Sequence, residues 1–78
     1  MLVNILMEWA MEFSWRVNAF NNSIVLMAID GGYVGTIYID KHATVVTAFN
    51  SRHDSNMNLC VADPKFFDKL EIYLVGKV

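Results

Sequence analysis

A chain of 78 residues is long enough for one domain, and folding at that size hides only about 60% of the surface the unfolded chain exposes. Yet 55% of the residues are apolar, above the roughly 45–50% of an average soluble chain, so a small interior must hold an unusual load or share it with another chain. Six basic residues, scattered as Arg16, Lys41, Arg52, Lys65, Lys69 and Lys77, stand against eight acids for a net charge of −2; this excludes the basic stripe needed for sequence-independent nucleic-acid binding and the basic helix of membrane-surface proteins.

In chain order, Leu2 to Met11 predicts a short helix, with Asn4, Glu8 and Glu12 on one narrow stripe and apolar side chains around the rest. From Met11 the period changes to two: Met11, Phe13, Trp15, Val17 and Ala19 alternate with Glu12, Ser14, Arg16 and Asn18, the pattern of a half-buried strand. Asn21-Asn22-Ser23 turns the chain. Ile24 to Ile29 then runs apolar on both faces, which requires cover on both faces. Asp30-Gly31-Gly32 is a hairpin signal, because these residues adopt positive φ at low cost.

Tyr33 to Ile39 is the third strand, with Gly35 marking a bulge or a close backbone approach. After the turn at Asp40-Lys41-His42, Ala43 to Phe49 forms the fourth strand, residues 50–56 a long polar loop, and Met57 to Ala62 the fifth strand. Asp63 as N-cap and Pro64 at the first helical position open a two-turn helix ending before Glu71, and Ile72 to Val78 reads as a closing strand. The expected fold is one α+β domain over residues 1–78. It is a curved, mostly antiparallel sheet of five to six strands, a small, partly open barrel, with a short N-terminal helix and a short helix before the last strand.

The apolar start has no basic region before it and meets Glu8 within its first helical turns, so it is read as a helix rather than a signal or membrane span, and a cytoplasmic protein is expected. Cys60, the single cysteine, is expected to be a small buried hydrophobe between Leu59 and Val61.

Groups able to do chemistry are few. His42, His53, Asp54 and Asp63 follow no metal-ligand spacing, Asp30 and Asp40 are better read as turn residues, and no nucleophile motif or phosphate loop is present. No enzyme activity, cofactor or metal is therefore expected. The order of elements around "DGGYVGTIYID" invites comparison with the Sm-like RNA-binding rings. The Gly31–Gly35 and Gly35–Asp40 intervals are each one residue shorter than in that family, and a shift of one reverses the faces of a strand.

What remains is the aromatic surplus. Trp, Tyr and Phe anchor protein interfaces, and exposed loops carry contacts, so the candidate interaction residues are Trp9, Trp15, Tyr33, Tyr38, Arg52, His53 and Asp54. The expected function is a small protein-binding module, working as a homodimer or larger homo-oligomer. It would be a stand-alone inhibitor or adaptor of the kind phages and plasmids encode, occluding a larger host protein or defence complex. The alternative is an oligomeric protein that sequesters a small molecule or nucleotide at a subunit interface, with Tyr33, Tyr38 and Arg52 stacking on and neutralising it.

Overall fold

A computed structural model describes residues 2–76 of the chain. The N-terminal helix, α1 (Leu2–Met11), sinks Leu6, Trp9 and Ala10 into the core, three positions that fall on one helical face. Helical bonding fades through a turn in which Glu12, Phe13 and Ser14 donate to the Trp9, Ala10 and Met11 carbonyls. Ser14, at φ 62°, then turns the chain in the left-handed region where glycine usually ends helices. The change of period near Met11 is thus real, but the first strand starts only after this turn.

Five strands follow as a meander: β1 (Arg16–Ala19), β2 (Ser23–Met27), β3 (Tyr33–Ile39), β4 (Val45–Asn50) and β5 (Ser55–Cys60), each antiparallel to its neighbour. The sheet order is the chain order, so β1 and β5 are the two edges and the sheet stays open rather than closing toward a barrel. Gly31, at φ 97°, and the Asp30 carboxylate, which accepts the Gly32 N–H at 3.0 Å, make the β2–β3 turn. Gly35 has the close approach expected of it. A Cβ there would overlap the Phe49 carbonyl oxygen and lie 3.4 Å from Leu74, and the β2–β3 register slips beside it, between Leu26 and Met27.

The sixth strand expected from Ile72 is absent from the described residues. α2 runs from Phe66 to Val75, because Phe66, Leu70 and Leu74 recur every four residues and bury as one stripe. Gly76, at φ 81°, ends the helix, its N–H reaching the Glu71 and Ile72 carbonyls. Positions 77 and 78 of that expected strand lie outside the described residues. The helix start also differs: Lys65 is the N-cap, while Asp63 sits upstream and accepts the Lys65 N–H at 2.8 Å. The expected seven-residue loop shortens to residues 51–54, since Ser55 and Asn56 already pair with Asn50 and Phe49.

Side-chain alternation sorts the sheet into two faces. The rows Ala19–Ile24–Ile37–Ala48–Met57 and Val17–Leu26–Gly35–Asn50–Ser55 point toward the helices, joined by Ile39–Val46–Leu59. Both helices pack on this face, α1 over β1 and β2, α2 over β4 and β5, and the buried side chains form one core. The opposite face carries no helix. The architecture is two layers, helices on one side of a five-strand sheet.

Candidate functional site

The uncovered face is assembled from the other parity of each strand, except at Tyr33, which the register slip opposite Met27 brings round to it. One row across it reads Asn18–Val25–Thr36–Phe49–Asn56, a second Ser23–Tyr38–Thr47–Asn58, and Arg16–Met27–Tyr33 and Val45–Cys60 complete it. Its chemistry is unusual for a solvent-facing sheet. Among the described residues Arg16 is the one charged side chain in any strand, and all eight acids lie on helices, turns or loops. Tyr33 is 45% exposed and Tyr38 51%, with Val45 also open to solvent. Tyr33 leans over the sheet, stacked on Phe49 with centroids 6.2 Å apart, and its hydroxyl bonds Thr36 Oγ1, which buries that threonine. Thr47 Oγ1 donates to Asn58 Oδ1 at 2.7 Å across β4 and β5.

Cys60 belongs to this face and is exposed, against expectation. Leu59 takes the inward position, and period two sends its neighbour outward. The doubly apolar reading of β2 is explained in the same way. Ile24 and Leu26 are buried beneath the helices, while Val25 and Met27 on the other side are half covered by sheet neighbours alone.

Of the seven residues singled out by sequence, three converge. Trp15, Tyr33 and Arg52 line an open cleft of about 290 Å³ at one end of the sheet, with Val34, Ser51 and Val75. Tyr38 lies on the uncovered face, at the other end of β3 from Tyr33. Trp9 is buried in the core, its ring 5.1, 5.9 and 6.1 Å from those of Phe13, Trp15 and Phe67, so it supports Trp15 rather than meeting a partner. His53 lines a different groove with Met57, Lys69, Ile72 and Tyr73, and Asp54 holds the β4–β5 turn at φ 49°.

The β4–β5 turn, expected as a long solvated polar loop with recognition as its alternative role, grips the end of α2. Asn50 Nδ2 donates to the Tyr73 carbonyl at 2.6 Å, Arg52 Nη2 to the Leu74 carbonyl at 3.2 Å, and Ser55 Oγ bonds the Tyr73 hydroxyl at 2.7 Å. Carbonyls at a helix C-terminus lack intrahelical partners and carry partial negative charge, so an amide and a guanidinium satisfy them well. Ser51 anchors the other side, its Oγ 2.8 Å from both the Tyr33 and Val34 carbonyls. Arg52 thereby has a structural task that sequence reasoning did not give it.

Two carboxylates have their acidity shifted, both at turns. Val45 N–H, then Thr44 N–H and hydroxyl, donate to Asp40 and hold it below the usual carboxylate value, against a smaller opposing effect of dehydration. Lys69 Nζ at 2.6 Å, then Lys65 N–H, do the same for Asp63. Neither group faces a cleft with a nucleophile. Among the described residues no three His, Cys, Asp or Glu side chains are placed to hold a metal ion, and no helix is long and apolar enough to cross a membrane.

Compared with protein-family models, with curated proteins and with solved structures, the chain matches none of them.

Among the face residues that the sequence did not single out are Thr36, Val45, Thr47, Phe49, Asn56 and Asn58. Their signal was present in the strands: outward positions that elsewhere carry Lys or Glu here carry hydroxyls, amides and rings.

Proposed function

We propose that the protein is a small protein-binding module that lays the uncovered face of its sheet on a larger protein and blocks it, as a stand-alone inhibitor or adaptor. The observation that supports this reading is the composition of that face. It is nearly free of charge, with exposed Tyr33 and Tyr38 among Thr, Ser and Asn side chains. Charge depletion with aromatic enrichment marks the centre of protein interfaces, and tyrosine among small polar residues supplies rigid contact area at low entropic cost. The test is affinity capture from a host lysate with wild type, Tyr38→Arg and Glu12→Arg, the last altering the helix layer alone. The reading expects one partner retained by wild type and Glu12→Arg and lost by Tyr38→Arg; retention by all three contradicts it.

A second reading has its own support in the cleft that joins Trp15, Tyr33 and Arg52, with two rings beside a guanidinium. In that reading the cleft holds a nucleotide or similar anionic ring compound. A ligand at about 100 times its Kd stabilises the folded state by about 2.7 kcal/mol, so a nucleotide panel read by thermal shift decides the matter. No shift with any nucleotide removes this reading and leaves the first in place.

A further inference from the structure

We infer that the free edge of β5, with the adjoining outer shoulder of α2, is where a second copy of this chain docks, joining two five-strand sheets into one.

The backbone sets the geometry. Val61 N–H donates to the Thr44 carbonyl at 3.0 Å, and bonded pairs recur every second residue in an antiparallel ladder. Leu59, Met57 and Ser55 therefore bond to β4, while the N–H and C=O groups of Asn56, Asn58 and Cys60 point away from it. Among the described residues the Cys60 carbonyl accepts the Asp63 N–H at 3.1 Å, and the other outward groups take no partner. Exposed edges are normally blunted by a lysine, a proline, a bulge or brevity. β5 has none of these: its six residues pair with β4 without a register slip. The opposite edge, β1, is four residues long and carries Arg16.

A second observation lies beside the same edge. Ile72 on α2 is 47% exposed and lines a groove of about 290 Å³ with His53, Met57 and Tyr73. Lys69, which also lines that groove, is paired with Asp63 at 2.6 Å. Strand edge and apolar groove thus fall on one side of the molecule, in both of its layers.

β5 carries no charge and the Ile72 groove lies beside it, so a two-fold arrangement opposes no like charges along the strand and sets apolar groove beside apolar groove, which favours a copy of the chain over an unrelated strand. A two-fold axis through Asn58 sets it opposite Asn58 of the second copy, where two reciprocal N–H to carbonyl bonds form, and Asn56 opposite Cys60, whose carbonyl already accepts the Asp63 N–H and has one lone pair left for the Asn56 N–H of the second copy. The same axis brings the two α2 helices side by side, covering Ile72. No acidic residue of β5 is opposed to another, because β5 contains none. This inference is independent of the uncovered face, which stays free in the assembly and becomes one continuous surface across both copies.

The test is molar mass by light scattering at about 100 µM, a concentration that populates even an interface at the small end of the specific range. Wild type and Tyr38→Arg are expected at twice the 8.9 kDa chain mass, and Ile72→Glu at the chain mass with an unchanged far-UV circular dichroism spectrum. Asn58→Pro, which removes an outward N–H and no backbone bond to β4 while giving up the side-chain bond from Thr47, is expected to behave like Ile72→Glu; if it fails to fold, Ile72→Glu carries the result. A wild-type mass of one chain overturns the inference, as does a two-chain mass that survives Ile72→Glu. Loss of the dimer in Tyr38→Arg also overturns it, and places the second copy on the uncovered face.

Discussion

Asn50 joins the end of the sheet to the end of the helix: its Nδ2 donates to the Tyr73 carbonyl at 2.6 Å while its Oδ1 accepts the Arg52 N–H at 2.8 Å. The side chain is 1% exposed, so both bonds are made away from water. Asn50→Ala leaves a helix carbonyl and a turn amide without partners, and each such group costs about 1–3 kcal/mol. We predict a loss of about 2–4 kcal/mol in urea unfolding. A loss below about 1 kcal/mol would show that water replaces the amide.

Gly35 is required for space rather than for a positive φ, since a Cβ would meet the Phe49 carbonyl oxygen, a backbone atom that cannot turn aside. Gly35→Ala must therefore push β3 and β4 apart in the middle of the sheet. The expected loss is at least about 2–3 kcal/mol, the upper part of the range for overpacking. Thermal unfolding measures it, and an unchanged midpoint would refute the close approach.

Arg52 separates a structural from a ligand-binding role. Its bond to the Leu74 carbonyl and its charge at the end of α2 are together worth about 0.5–1 kcal/mol. Arg52→Ala should lower stability by that amount and Arg52→Lys by less, with no change in partner capture. If instead stability is unchanged and a nucleotide-induced thermal shift disappears, the cleft reading gains.

The pH dependence follows from Asp40, whose carboxylate accepts three bonds that the unfolded chain lacks. Its folded value lies below its unfolded one, so the contribution is complete above the ordinary carboxylate range near 4 and is lost as pH falls through the lowered value. Asp63 follows the same sign. Asp40→Asn should flatten the acid limb of the stability curve below about pH 4. An acid limb equal to that of wild type would assign it to other groups.

Much of this architecture is legible in the chain, and the failures have physical causes. Tyr33 to Ile39, aromatic and β-branched, lies between turn signals and falls where expected, and Gly35 announces its close approach. The end of the chain misleads because "LEIYLV" suits a strand as well as a helix. Only the wider spacing of Phe66, Leu70 and Leu74 decides, and helix and strand periods cannot be told apart in short apolar runs. Cys60 was misplaced by one step of parity. Of the candidates named from the sequence, Trp15, Tyr33 and Arg52 lie at the cleft and Tyr38 on the uncovered face. Trp9 shows the limit: an aromatic ring reads alike in a core and at an interface, and only packing against Phe13, Trp15 and Phe67 assigns it.

The claim that the uncovered sheet face is the working surface is tested most directly by calorimetric titration of the captured protein with wild type and Tyr38→Arg. Tyr38 is half exposed and makes no bond the fold depends on, so its replacement should leave stability within about 0.5 kcal/mol. The account predicts an affinity loss of at least about 30-fold, the roughly 2 kcal/mol of an interface hot spot. An affinity within about twofold of wild type would contradict it, and would move the search to the helix layer.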